Sequence, residues 1–352
     1  MTTPSGTDET ATVASSEAPS VASSDASPGG GKRERHPAFQ ASSGVSSDAS
    51  SVDGKPPVAR APETPSAGTI AAALAAAGRE HVTLHLFDEL PSTSRWLEAR
   101  AADGHAADVA HGAPPALCTV DLQSAGHGRR GKRWVSVPGN VAVSLLEHLP
   151  LGLADLGGLS LVTGIAVADA LGEATGLDVR IKWPNDLLVD GAKLGGLLIG
   201  VQVCGTGGGT GGGAGGGAGG VREPCTRVVT GIGINVVHDP RVEALGIGGT
   251  SIVGTVDRDR LLGTIAARVL DAHERFAALG WAAFADAWRS RDALVGRDVD
   301  IHLDGEVLRG RALGVDIDGA LRVSIDGTER NFHGGDVSVR PHDSSATGGT
   351  LS

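Results

Sequence analysis

The densest concentration of chemically capable side chains is one run, Gln123-Ser124-Ala125-Gly126-His127-Gly128-Arg129-Arg130-Gly131-Lys132-Arg133-Trp134. It holds three glycines, four cationic side chains, a histidine and a tryptophan. Neither an amphipathic helix nor a strand asks for that mixture. Glycine lets the backbone turn tightly and lie close to a ligand. Arg and Lys beside such glycines hold phosphate or carboxylate through charge-assisted hydrogen bonds. The run is also a basic island in a chain of 352 residues with a formal net charge of −11. Taken alone, it fits an anion-binding loop, a solvated charged loop or a nucleic-acid patch equally well.

Four further blocks carry polar groups beside glycines or helix starts. Pro91-Ser92-Thr93-Ser94 precedes a helical pattern through Trp96, Leu97 and Ala101, so Ser92 or Thr93 suits an N-cap or a helix terminus facing a polar ligand. Lys182-Trp183-Pro184-Asn185-Asp186 leads into Leu187-Leu188-Val189 and an Asp190-Gly191 turn of the hairpin type. Lys193-Leu194-Gly195-Gly196 returns from that turn as a strand. A lysine opening an apolar strand is commonly a solvated edge charge, but two following glycines admit close approach to the backbone. Gly231-Ile232-Gly233-Ile234-Asn235 again sets two glycines inside a strand.

These blocks need elements to hold them. Val82, Leu84 and Leu86 alternate with polar residues as a strand, as do Leu117–Leu122, Asn140–Leu149, Val179–Trp183 and Thr226–Val237. Residues 157–175 are helical, with Leu161, Ile165, Ala168 and Leu171 as the apolar stripe and Gly176 as the stop. Residues 257–279 form an amphipathic helix through Leu262, Ile265, Val269 and Phe276, with His273 on its buried stripe. A second helix carries Trp281, Phe284 and Trp288 to about Leu294. Short strands joined by Asp304-Gly305, Asp318-Gly319 and Asp326-Gly327 turns then make a small β-module.

The resulting organisation is a disordered tail over 1–65, a catalytic domain over 66–294, a β-module over 295–341 and a polar tail over 342–352. Residues 66–79 are a short Ala-rich helix with Ser66 as its cap, and 205–220 are a flexible, almost all-glycine loop. Tyr is absent, so no tyrosine acid or nucleophile is available. Three cysteines, Cys118, Cys204 and Cys225, stand far apart in sequence and make no C-x-x-C pair, which argues against a disulfide framework and a structural zinc site. No apolar run reaches membrane-spanning length and no signal peptide is evident, so a reducing cytoplasm is expected. The acidic balance argues against general nucleic-acid binding.

In order and spacing, Ser92-Thr93, Gln123 through Trp134, Lys182–Asp186, Lys193–Gly196, Gly231–Asn235 and the terminal β-module resemble the biotin–protein ligases. The resemblance covers about residues 81–341. It implies an α+β fold, with a mixed sheet flanked by helices as in the catalytic domain of class II aminoacyl-tRNA synthetases, followed by a small SH3-like β-barrel. Two positions depart from the family pattern. His127 stands where the loop usually has its first Arg, and Ser94 where Asn usually follows Ser-Thr. The helix-turn-helix of repressor-type members is missing.

That resemblance implies an ATP-dependent ligase. Biotin's carboxylate attacks the α-phosphate of ATP to give biotinyl-5′-AMP and pyrophosphate, and a lysine of a biotin carboxyl carrier domain then takes the acyl group. It places biotin on Ser92, Thr93, Gln123, Gly126, Arg129 and Lys193, with Arg129 and Lys193 catalytic. ATP or the adenylate falls to Arg130, Gly131, Lys132, Trp134, Asn185, Asp186 and Asn235, with Mg²⁺ accompanying ATP. Expected partners are biotin, ATP and a carboxylase carrier domain, with no DNA and no membrane, in a monomer or homodimer. A lipoate- or octanoyl-transferring enzyme, a non-enzymatic biotin sensor and a catalytically inactive adaptor are the alternatives.

Overall fold

Strands rich in Val, Leu and Ile assemble a seven-stranded sheet whose two faces are covered by different helices. In a computed structural model, residues 64–102, 113–204, 224–239, 249–252, 254, 256–303, 305–334 and 338–342 are described. The expected tail over 1–65, but for residues 64 and 65, lies outside them. So do the glycine-rich loop at 205–220, residues 240–248 and the C-terminal tail after residue 342.

The helices are α1 (Ala67–Ala76), α2 (Thr93–Ala102), α3 (Leu159–Thr175), α4 (Arg258–Leu279) and α5 (Ala285–Arg291). The large sheet contains β1 (Thr83–Leu90), β2 (Ala116–Gln123), β3 (Val141–Leu149), β4 (Arg180–Lys182), β5 (Asp186–Val189), β6 (Ala192–Val203) and β7 (Thr226–Ile234). Their spatial order is β1-β2-β3-β7-β6-β5-β4. Only β1 and β2 run parallel; every other neighbouring pair is antiparallel. The sheet is therefore mixed, as expected.

The main core lies where α3 and α4 cover the sheet, with Leu161, Ile165, Ile265 and Val269 packed against Leu145, Ile232 and Leu197. Each large aliphatic side chain buried there contributes about 1.5–3 kcal/mol. A smaller cluster beneath α2 joins Leu97 and Ala101 to Ala116, Cys118, Leu146 and Val229. With helices over both faces, β3 is buried along nearly its whole length rather than on alternate residues. Asp257 caps α4 by accepting from the Arg260 N–H at 3.0 Å, and Ser66 caps α1 as expected.

The structure corrects one boundary. The helix expected to reach about Leu294 is a short 3-10 turn at Trp281–Phe284 followed by α5, which stops at Arg291. Asp292 ends it because its carboxylate accepts from the Leu294 N–H at 2.8 Å. The Ala293 N–H meanwhile donates to the Ile181 carbonyl at 3.0 Å, turning the chain onto the sheet edge.

The C-terminal module contains β8 (Asp298–Leu303), β9 (Glu306–Val315), β10 (Leu321–Ile325), β11 (Thr328–Phe332) and β12 (Ser338–Pro341), in the order β11-β10-β9-β8-β12. All its pairings are antiparallel. Trp183 leaves the end of β4, is buried, and donates its indole N–H to the Gly319 carbonyl at 3.0 Å. That bond joins the module to the catalytic sheet.

His273 is a fully buried side chain of α4, as its position on the apolar stripe implies. Its Nδ1 lies 2.6 Å from Glu147 Oε1 on β3, and its Nε2 lies 2.8 Å from Thr163 Oγ1 on α3. Removing the imidazole leaves buried hydrogen-bonding groups of Glu147 and Thr163 without it. His273→Ala is expected to lower unfolding free energy by about 3 kcal/mol, read from the midpoint of urea unfolding. A change below about 1 kcal/mol would mean that water replaces the imidazole.

Candidate active site

A cavity of about 400 Å³ opens on the α2 side of the sheet, a volume suited to a small-molecule ligand. Its walls come from the β1–α2 junction, the Gly/Arg loop, the β4–β5 corner, β6, β7 and β12. These stretches, far apart in sequence, meet here because the strand order sets β7 and β6 between β3 and β5.

The hydroxyl wall is built first by a helix cap. Ser92 Oγ lies 3.4 Å from the Arg95 N–H, so Ser92 caps α2 and Thr93 is its first residue. Gln123, the last residue of β2, accepts from the Thr93 N–H at 3.0 Å through its side-chain oxygen. Thr93 Oγ1 and Ser94 Oγ both meet Ser144 Oγ on β3, at 2.8 and 2.9 Å. Capping and cavity lining are thus the same residues, and Ser144 is a member that no sequence motif marked. Ser94 sits over Gly231, where an added Cβ would come within 2.6 Å of its Oγ.

The Gly/Arg run forms a narrow hairpin. Gly126 carbonyl accepts from the Trp134 N–H at 2.9 Å, the His127 and Arg133 backbones pair, and Lys132 carbonyl accepts from the Gly128 N–H at 2.7 Å. At its tip Arg130 has φ 55°, a left-handed conformation that costs a non-glycine residue about 1 kcal/mol or more. Ser92 Oγ lies 3.4 Å from His127 Nδ1. Trp134 lays its ring on β7 at Gly233, where an added Cβ would approach the ring to 2.6 Å. That contact explains why β7 carries glycine there.

Cations converge from two directions. Lys182 precedes the β4–β5 corner and Lys193 follows the Asp190-Gly191 turn, whose φ values of 51° and 79° are those of a tight hairpin. Both ammonium groups contact the Asp186 carboxylate, Lys182 at 3.0 Å and Lys193 in a shorter contact. Burial pushes the Asp186 carboxyl up, but Lys193 and Lys182 together outweigh it and hold the group below the usual carboxylate range. Arg129 Nη1 donates to Asn185 Oδ1 at 3.2 Å, and Asn185 Nδ2 donates to the Leu197 carbonyl at 2.6 Å. Arg129 Nη2 is buried and has no hydrogen-bond partner among the described residues. Burial, with the neighbouring Arg130 charge, lowers the Arg129 pKa against the pull of Asp186. A buried guanidinium nitrogen without an acceptor asks for a carboxylate or phosphate oxygen.

Of the residues singled out from sequence, Ser92, Thr93, Gln123, Arg129, Arg130, Lys132, Trp134, Asn185, Asp186, Lys193 and Asn235 line the cavity. Gly126 and Gly131 do not. Gly126 lets the hairpin close, since an added Cβ would meet the Trp134 carbonyl oxygen at 2.8 Å. Gly131 forms its tip with φ 70°. Asn235 works through its neighbours: its N–H donates to the Leu194 carbonyl at 2.9 Å and its Nδ2 to the Thr250 carbonyl at 3.3 Å. Ser338, Val339 and Arg340 of β12 also line the cavity, and nothing local in the sequence signals them. Among the described residues no group of three or more His, Cys, Asp or Glu side chains could hold a metal ion.

The geometry accommodates two anionic groups beside a hydroxyl wall and an indole face. Residues 108–209 match the Biotin/lipoate A/B protein ligase family model, and residues 294–340 match the Biotin protein ligase C terminal domain model. The bifunctional ligase/repressor BirA of Salmonella typhimurium is 31% identical over 257 residues, covering 71% of this chain and 72% of its own length. The chain belongs to the biotin protein ligase family. A second relative, the biotin–[acetyl-CoA-carboxylase] ligase of Paracoccus denitrificans, is 32% identical over 208 residues, covering 56% of this chain and 80% of its own. The fold of the ligase is like that of the biotin protein ligase from Aquifex aeolicus solved with biotin and ATP. The TM-score is 0.58 and identity 23%, covering 74% of this chain and 99% of that one. The ligase thus has the class II synthetase-like catalytic domain and small C-terminal β-domain of its family.

Because the Asp186 pKa is depressed in the folded state, its contribution to stability is complete above the ordinary value of 3.8 and is lost as pH falls through the folded value. Asp186→Asn is expected to be less stable than the parent at about pH 6, with the difference shrinking toward about pH 3. Urea midpoints across that range measure it. A difference that stays constant with pH would show that the lysines do not depress this carboxylate.

Proposed function

We propose that the ligase joins biotin to the lysine of a biotin carboxyl carrier domain in two steps at this one cavity. Membership of the family supports biotin as the acyl group, and the C-terminal match is to a biotin-specific model rather than a lipoate one. The observation that carries the assignment of residues is that Arg129, whose buried Nη2 has no hydrogen-bond partner among the described residues, lines the same cavity as Lys193.

In the first step the biotin carboxylate and the α-phosphate of ATP, both anionic, must meet. Arg129 and Lys193 hold the carboxylate and offset the charge that builds on the phosphate. Ser92, Thr93 and Gln123 present hydroxyl and amide groups to biotin's polar ring, with Gly126 fixing the loop above it. Arg130 and Lys132, on either side of the Gly131 tip, face the phosphates, and Trp134 stacks on adenine. Asn185, Asp186 and Asn235 position the nucleotide side, Asp186 by fixing Lys182 and Lys193. Mg²⁺ would come with ATP as part of the substrate and would shield the phosphates.

In the second step a neutral lysine amine of the acceptor attacks the acyl carbon of biotinyl-5′-AMP, and AMP leaves. No protein nucleophile is needed. Excluding water from the cavity protects the mixed anhydride from hydrolysis. We place this activity in the cytoplasm, in a monomer or homodimer acting without DNA. The net charge of −11 supports that reading. No described helix is long and apolar enough to cross a membrane.

Incubation with ATP and biotin is expected to yield the biotinyl adenylate by mass spectrometry, and a carrier domain should then gain the biotinyl group. Lipoate in place of biotin should give neither product. Lys193→Ala is expected to slow adenylate formation by roughly 10²–10³-fold with the fold intact; pyrophosphate release at the parental rate would remove Lys193 from the chemistry. Deleting 1–65, or shortening 205–220, should leave the transfer rate within about two-fold. A folded truncate with lost activity would assign those segments a part in the reaction.

A further inference from the structure

Cys204 and Cys225 are separated by 20 residues, 12 of them glycine. Sequence spacing keeps them apart, yet the fold brings them opposite one another. β6 and β7 pair down to Val203 against Thr226, and the next rung is Cys204 against Cys225, with the Cys204 N–H donating to the Cys225 carbonyl at 3.1 Å. Directly opposed residues of an antiparallel ladder send their side chains to the same face. A hydrogen-bonded pair sets its Cα atoms about 5.5 Å apart, inside the range a disulfide spans. Both thiols are free and half-buried. The Cys225 thiol is pushed up to about 11, by burial first and then by the neighbouring Cys204 thiol. Cys118, by contrast, is buried in the cluster beneath α2.

We propose that Cys204 and Cys225 are a redox site, a cross-strand dithiol that a low-molecular-weight disulfide converts to an intramolecular disulfide. The Cys204 thiolate attacks one sulfur of RSSR, forming Cys204–S–SR and expelling RS⁻, which takes up the proton that Cys204 gave up. Cys225 then loses its proton and attacks the Cys204 sulfur. The Cys204–SR bond breaks, the Cys204–Cys225 bond forms, and the second thiolate leaves as RSH. Two protein thiols are oxidised and one RSSR is reduced to two RSH. The stoichiometry is the same if Cys225 attacks first.

The position of the pair sets the effect. The cavity end of the ladder is Gly195 and Gly196 against Ile234 and Gly233. The cysteines lie eight residues further along β6 from Gly196, roughly 25 Å away along the strand. The bond therefore leaves the residues of the cavity where they are. It closes the glycine-rich connection into a ring, removing from the unfolded chain the many conformations that such a connection allows.

The test treats the full-length folded protein with oxidised glutathione, alkylates remaining thiols, digests without reductant and maps peptides by mass. The expected result is a Cys204–Cys225 linkage with Cys118 still reduced. The melting midpoint should rise by roughly 5 °C and return with dithiothreitol, while the biotin-transfer rate stays unchanged. Cys225→Ser should trap a glutathione mixed disulfide on Cys204, and the Cys204→Ser, Cys225→Ser double variant should show no oxidant-dependent shift. Alkylation of both thiols after oxidant, linkage of either to Cys118 or to a second chain, or an unchanged melting midpoint in the linked protein would each overturn the proposal.

Discussion

One carboxylate between two ammonium groups is the constraint on which the cavity depends. Lys182, Lys193, Arg129, Arg130 and Lys132 all line it, and two like charges about 4 Å apart repel by about 4 kcal/mol near a protein surface. Asp186 contacts both lysines and relieves that repulsion until an anion arrives. Its place at the start of β5 follows from backbone geometry. The β4–β5 corner puts Lys182 on one side, and the Asp190-Gly191 turn returns Lys193 to the other. A two-residue turn thereby fixes the separation of the two charges.

Local rules in the sequence reach a long way into this structure. The Asp190-Gly191 and Asp326-Gly327 turns, the Ser66 cap and the Gly/Arg run are each determined within a few residues, and they stand where the sequence places them. What local rules cannot supply is pairing order. Ser144 becomes the partner of Thr93 and Ser94 because β3 passes beneath the start of α2. Arg340 reaches the cavity because β12 pairs with β8 at the near edge of the C-terminal module. Cys204 meets Cys225 because β6 and β7 are neighbours across a long connection. The end of α5 differs from the sequence expectation for a related reason: Asp292 fits a helix by pattern, but its carboxylate bonds to the Leu294 N–H while the Ala293 N–H pairs with Ile181 on the sheet edge.

The two positions that depart from the family pattern sit in different circumstances. Ser94 is buried and is bonded to Ser144, while Gly231 lacks the Cβ that would crowd its hydroxyl. A short side chain suits that confined space. His127 is in the exposed hairpin's paired backbone and offers a ring nitrogen to Ser92 at 3.4 Å, a weak contact at the limit of hydrogen bonding. Its backbone role does not need a guanidinium, whereas Arg129, two residues on, keeps one whose Nη2 has no acceptor among the described residues.

The Trp183 indole on the Gly319 carbonyl has a wider consequence. Trp183 is buried in the same apolar cluster as Leu321, Phe332 and Val339 of the C-terminal module, and the neighbouring β12 forms part of the cavity wall. A ligand held in the cavity touches both parts and so favours the arrangement in which they are docked. The small module is then part of the wall rather than an appendage: a substitution that loosens its packing on Trp183 reaches the cavity through β12.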